Sequence, residues 1–216
     1  MTNRAYGQFC GIARALEMVG ERWALLIVRD LLVSPKRYTD LRNGLPKIPT
    51  NILAARLREL ERNGLVGRRV LPRPSGAVVY ELTEHGYALE DVVLALGRWG
   101  AESLGEPRPD EIVTADSLVM ALRSAFEPEA AAGARAGFEL RVDEVVVHAW
   151  VDDGMLLAAE GTLPGADLAI EGGPGVVKAL MAGEITPDGA VEAGLVKLAG
   201  NERLLARFAE FFRIHG

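Results

Sequence analysis

A single cysteine, Cys10, in 216 residues leaves this chain no internal disulfide framework. Its three histidines, His85, His148 and His215, stand far apart, with no cysteine or histidine at ligand spacing, which argues against a metal site. No apolar run approaches the roughly 20 residues a membrane span needs, and the opening Met1–Gln8 has no secretory apolar region. Nucleophile elbows of the Gly-x-Ser-x-Gly type are missing. Gly173-Pro-Gly175-Val-Val-Lys178 looks like a phosphate-cradling turn but lacks the Gly-Lys-Ser/Thr ending, so it reads as a strand-to-helix turn. Asp152-Asp153 looks like a carboxylate pair, and the glycine after it marks a turn rather than acid–base chemistry. These absences exclude most classes of chemistry. The expectation is a cytoplasmic protein that is not an enzyme, holds no cofactor and contacts no membrane.

Hydrophobic residues make up 49% of the chain and charged residues 25%, a balance that folds into compact cores. The net charge of −6 argues at first sight against nucleic acid. The sum hides an asymmetry. Residues 1–105 carry 15 basic and 11 acidic residues, a net of +4, whereas residues 106–216 carry 9 and 19, a net of −10. Between Ser34 and Arg73 ten basic residues face three acidic ones, a net of +7. Salt screens charges beyond roughly 10 Å, so a phosphate backbone responds to this local field and not to the total. The same charge is also what a plain solvated face would carry.

Composition changes at Gly105-Glu106-Pro107-Arg108-Pro109-Asp110, which reads as a stiff linker over 105–112 between domains at 1–104 and 113–216. In the first half, Ile12, Leu16 and Val19 recur at helical spacing up to Gly20. Trp23, Leu26, Ile27, Leu31 and Leu32 continue as a second helix to Ser34-Pro35. A short helix over Tyr38–Leu45 follows, then one opening at Pro49 with Leu53, Leu57 and Leu60 on one face and ending at Asn63-Gly64. Strands are expected at Leu65–Leu71 and Ala77–Leu82 around the turn Pro72–Gly76, and one long helix over Glu84–Leu104. The second half reads as α+β. A helix around Leu118–Phe126 precedes an antiparallel meander, Phe138–Val142, Val145–Val151 and Met155–Glu160, with Asp152-Asp153-Gly154 as a hairpin turn. A strand at Ala166–Glu171, a helix at Val176–Met181, a strand at Gly194–Leu198 and an amphipathic helix at Leu204–Phe212 complete it, giving a mostly antiparallel sheet.

Helix, turn, helix and hairpin in that order form a winged helix-turn-helix, which presents its second helix to a major groove about 12 Å wide. The reading positions are those off the Leu53/Leu57/Leu60 stripe near the helix start: Thr50, Asn51, Ala54 and Ala55. Asn51 is suited to bidentate contact with adenine, Thr50 to a base or phosphate, and Ala54 to a thymine methyl. Arg56, Arg58 and Arg62, with Lys36, Arg37 and Lys47 from the neighbouring helix ends, are suited to phosphates, and Arg73 lies at the wing tip for the minor groove or backbone.

The stretches Cys10–Trp23, Leu26–Leu31, Tyr38–Leu41, Leu53–Leu60, Tyr80–Gly86 and Trp99-Gly100 together resemble the HxlR-type winged-helix regulators over residues 9–104. That resemblance implies a homodimer on double-stranded DNA with an inverted-repeat operator, its dimer built from the Ile12–Val19 and Glu84–Leu104 helices. It also marks Cys10 as a possible redox sensor, although Gly11 stands where the family usually has proline. Arg14, one helical turn away, is placed to lower the thiol pKa; the other reading is a packed, inert thiol. Residues 115–213, through Ala166–Glu171, Val176–Gly183 and Gly194–Asn201, resemble the sterol carrier protein-like fold. This implies an apolar tunnel for a lipophilic effector, with Phe126, Trp150, Met155, Leu180 and Phe208 as candidate lining. The expected protein is thus a DNA-binding transcriptional regulator with an effector domain. The alternative is a lipid-binding or carrier module that uses its winged helix only to dimerise.

Overall fold

A computed structural model describes residues 5–105 and 107–214. The expectations that touch the first four residues, Glu106 of the linker and His215 lie outside the described residues. The chain divides into two compact units, Met1–Val93 and Leu94–Gly216.

In the first unit α1 (Gly11–Val19) and α2 (Ala24–Val33) are followed by α3 (Tyr38–Gly44) and α4 (Thr50–Arg62). Pro49 is the N-cap of α4, where an absent N–H costs nothing. Leu53, Leu57 and Leu60 recur at i, i+4, i+7, and all three are fully buried with Ile27, Leu31 and Leu41. Strands β1 (Val66–Val70) and β2 (Val78–Leu82) pair antiparallel, Val66 opposite Leu82 and Val70 opposite Val78, and make the hairpin. A backbone bridge between Lys36 and Tyr80 sews this hairpin to the chain ahead of α3.

The single helix expected over Glu84–Leu104 is two: α5 (Glu84–Tyr87) and α6 (Glu90–Ala101). The physical reason is local. The Thr83 hydroxyl accepts the Gly86 N–H as an N-cap, and the Leu89 N–H turns back to the Gly86 carbonyl in a tight i−3 bond. The helical register therefore breaks at Ala88-Leu89. The division between the two units falls inside α6, and no residue of α6 is buried. Residues 105–112, expected as a linker, carry no helix or strand where they are described.

The second unit continues with α7 (Ala115–Ala125), β3 (Arg135–Val142), β4 (Val145–Asp152), β5 (Met155–Glu160), β6 (Leu168–Gly172), α8 (Pro174–Met181), α9 (Pro187–Glu192), β7 (Val196–Gly200) and α10 (Leu204–Phe211). The five strands form one sheet in the order β5-β4-β3-β6-β7. Every neighbouring pair is antiparallel except β3 and β6, so the sheet is mixed. Asp153 and Gly154 both adopt positive φ, 48° and 75°, the conformation a two-residue hairpin turn needs. Phe138 at the centre of β3 is ringed by Phe208, Phe211 and Phe212, with ring centroids 5.5–6.2 Å away, mostly edge to face. α9 was not anticipated, although Thr186-Pro187-Asp188 carries its signal: a threonine cap accepting the Gly189 N–H, proline in the first turn and an acid after it.

Candidate nucleic-acid interface

The opening turn of α4 places Thr50 and Asn51 at the surface, with Ala54 and Ala55 half-buried behind them. At 100° per residue Asn51, Arg58 and Arg62 fall on one stripe, opposite the buried leucines. α3 positions this turn directly: the Tyr38 hydroxyl donates to the Thr50 carbonyl over 2.8 Å. The sequence assigns no role to the Tyr38 side chain, because a single tyrosine at a helix start carries no signal of its partner.

The basic residues divide into two sets. Arg68 pairs with Glu61 at 2.5 Å and lies over the Tyr80 ring, and Arg69 pairs with Glu81 at 2.7 Å across the hairpin. Arg62 lies 3.8 Å from Glu59 and remains largely exposed. Arg37 donates to the Ser75 hydroxyl at 3.1 Å, tying the start of α3 to the wing turn. Among the described residues Arg42, Arg58 and Arg73 carry no ion pair and are exposed. Arg42, in the last turn of α3, is a surface cation not singled out beforehand. Lys47 is exposed in the α3–α4 turn and Lys36 is half-buried beside the bridge to β2.

Arg56 departs from expectation. Its side chain is only 13% exposed; Nη2 lies 3.2 Å from Glu21 Oε2, and Nη1 donates to the Glu59 carboxylate. Arg56 follows the core stripe by three residues from Leu53, so its stem lies inward and its charge is neutralised within the protein.

Cys10 is exposed, as the N-cap of α1. Its pKa is held below the ordinary thiol value by the backbone N–H of Ala13 and then that of Ile12, which point out of the first helical turn. Arg14, assigned that role from the sequence, instead holds Glu17 at 2.8 Å. A lowered pKa enlarges the thiolate fraction below the ordinary thiol range. Iodoacetamide labelling of native protein is therefore expected to be faster at pH 7.5 than that of a glutathione standard, with its half-maximum at lower pH. A rate profile overlaying glutathione would contradict this.

The expected effector lining does not converge. β-Strand alternation separates it: Phe138, Val147, Ala149 and Val151 point into the core, whereas Trp150 packs over Gly137 on the other face with Arg135 at 5.5 Å. Met155, opposite Asp152, shares that outer face and is 69% exposed. Phe208 and Leu180 are fully buried, and Phe126 stacks on Phe212 at 5.7 Å. An open pocket of about 380 Å³ lies elsewhere, between α9, β7 and α10, lined by apolar Val191, Leu198 and Leu205 and by charged Asp188, Glu192, Glu202 and Arg203. None of the five expected residues lines it. Among the described residues no group of histidine, cysteine and carboxylate side chains could hold a metal, and no helix is long and apolar enough to cross a membrane.

Residues 18–107 match the family model of the HxlR-like helix-turn-helix. Over 93 residues the chain is 41% identical to the HTH-type transcriptional regulator YodB of Bacillus subtilis (strain 168), covering 43% of this chain and 82% of that one. It is 36% identical over 91 residues to the uncharacterized HTH-type transcriptional regulator YdeP of the same organism, covering 42% and 71%. Among solved structures, the reduced form of YodB from B. subtilis aligns with 47% of this chain and 99% of its own at 38% identity, with a TM-score of 0.40.

Proposed function

This chain belongs to the HxlR-like helix-turn-helix family, and from that premise we propose that it is a homodimeric transcriptional regulator of an inverted-repeat operator. One observation carries the reading: the exposed Thr50 and Asn51 open a helix whose outer stripe continues into Arg58, with the paired hairpin beside it. Asn51 and Thr50 read bases, Ala54 meets a thymine methyl, and Arg58, Arg62, Arg37, Lys36 and Lys47 meet phosphates. Arg73 reaches the minor groove or backbone from the wing. α1 and α6 build the dimer. Supporting this are Ile12 and Leu16 on α1 and Val92, Leu96 and Trp99 on α6, large apolar side chains exposed to solvent in the single chain.

The second unit is proposed as a sterol carrier-like effector domain, supported by helices layered with a five-stranded sheet. With the five expected lining residues apart, the effector reading carries no assigned lining. Cys10 is proposed as a second input; equal operator affinity before and after its alkylation removes that role.

Fluorescence anisotropy with operator fragments selected from genomic DNA, titrated across salt, tests the regulator reading. Asn51→Ala is expected to relax preference at one base position, a loss of about 5- to 100-fold confined to the preferred base. Arg58→Ala should weaken all duplexes alike and reduce the slope of log affinity against log salt by about one. Binding that ignores salt favours the carrier alternative and overturns the regulator.

A further inference from the structure

We propose that Arg56 is a positioning residue for operator reading: it locks α4 to the end of α1, so that the dimer helix sets the separation of the two reading helices. The inference rests on the regulator reading above and concerns a residue that reading leaves without DNA.

Two ties join α4 to α1. At one, Arg56 Nη2 meets Glu21 in the turn just after α1, at 3.2 Å, while Nη1 holds Glu59 on α4 itself. At the other, Asn63 Nδ2 at the end of α4 donates to the Met18 carbonyl in the last turn of α1, at 3.2 Å. Arg56 and Asn63 are seven residues apart, hence on the same face of α4 and about 10 Å apart along its axis. Leu53, Leu57 and Leu60 hold α4 in the core, and polar ties add a constraint on its direction relative to α1. Two contacts spaced by two turns fix its direction.

The near-buried position of Arg56 strengthens this tie. A guanidinium shielded from water is screened less by salt than an exposed pair, and its planar fork engages two carboxylates at once. Ile12 and Leu16 in the first turns of α1 are exposed, whereas Val19, on the same stripe in its last turn, is buried beside the end that meets α4. α1 therefore joins the proposed dimer contact to the reading helix through one rigid element. Two reading helices must enter major grooves about 34 Å apart on the duplex. A small rotation of α4 against α1 in each protomer changes that separation without altering a single reading side chain.

The experiment uses the full chain and a panel of duplexes that keep both half-sites and vary their separation by one or two base pairs. Wild type is expected to prefer one spacing by about tenfold or more, as each base pair added turns the second half-site by roughly 35°. Arg56→Ala should flatten that preference to within about threefold while keeping the base preference within each half-site, with an unchanged salt slope, since no phosphate contact is lost. Glu21→Gln, at a half-exposed position, should reproduce the effect, and Arg56→Lys should restore part of it. All measurements are made well below the melting temperature of each variant, and Glu21→Gln decides the matter if Arg56→Ala does not fold. A purely structural role would lower the melting temperature and leave spacing preference intact, which overturns the proposal. So does a salt slope reduced by about one in Arg56→Ala, which would make Arg56 a phosphate contact. If wild type binds no duplex, the regulator reading fails first and this one with it; wild-type binding with an unmoved spacing preference in Arg56→Ala and Glu21→Gln sinks this one alone.

Discussion

Gly86→Ala is expected to unfasten the wing and to abolish operator binding at ordinary temperatures. A Cβ at this position would sit 2.1 Å from the Leu65 carbonyl oxygen and 3.1 Å from Leu82 Cδ2. The first of these is backbone, so rotation of a side chain cannot relieve it. Leu65 precedes β1, Leu82 ends β2, and the Thr83 N–H donates to the Leu65 carbonyl. The extra methyl therefore drives apart the root of the hairpin from the cap of α5. Overpacking of this kind costs about 3 kcal/mol or more. For a unit of this size that corresponds to a drop of about 12–24 °C in melting temperature. Gly67→Ala is the control: it lies in the same hairpin, in β1, and its Cβ would meet nothing within 4 Å. It should shift stability by less than about 1 kcal/mol. Thermal melting followed by circular dichroism, with anisotropy on an operator duplex, reads both effects. Equal melting temperatures for the two variants would show that the hairpin root has room the geometry denies.

The second large effect belongs to the acidic half. Phe138→Ala should destabilise the second unit by about 3–5 kcal/mol, the usual cost of emptying a buried aromatic site. Phe138 is completely buried at the centre of the sheet, opposite Ala149 on β4 and Leu168 on β6, beneath Phe208 and Phe211 of the closing helix and Phe212 just after it. Two strands and α10 all lose packing at once. Phe138→Leu should cost less than about 2 kcal/mol because most of the volume is kept. Leu157→Ala, on the exposed side of edge strand β5, should cost little. Urea titration reads the difference as a shift in midpoint. A Phe138→Ala midpoint equal to that of Leu157→Ala would show that the cluster is not the core.

These two residues mark where sequence reasoning reaches and where it stops. Phe138 was legible as a core strand residue, because alternation along Phe138–Val142 and the apolar face of Leu204–Phe212 are local patterns. Gly86 was legible only as part of a family-like stretch; nothing in Thr83-Glu84-His85-Gly86 says that a carbonyl twenty-one residues earlier presses on it. The long helix expected over Glu84–Leu104 failed for a local reason: its apolar spacing continues across Ala88-Leu89, while the Leu89 N–H turns back to the Gly86 carbonyl and breaks the register.

The candidate DNA face divides along the same line. Its +7 local charge and the place of Thr50 and Asn51 at the exposed start of a helix follow from residue type and helical periodicity. Which cations stand toward solvent does not. Arg56, Arg58 and Arg62 are alike in a sequence, yet Arg56 turns inward to Glu21, a partner thirty-five residues away. The effector lining misled similarly. Phe126, Trp150, Met155, Leu180 and Phe208 share apolar character, and only sheet register assigns Trp150 and Met155 to the outer face.

By itself, then, the sequence determined the two-part organisation in charge, the winged-helix order, the turn at Asp153-Gly154 and the faces of individual helices. Each depends on spacing within about one element, where propensity and periodicity act. Only the tertiary structure decided the parallel pairing of β3 with β6, the inward turn of Arg56 and the separation of the expected lining residues. Those depend on contacts between residues tens of positions apart, and a one-dimensional pattern carries no distance across them.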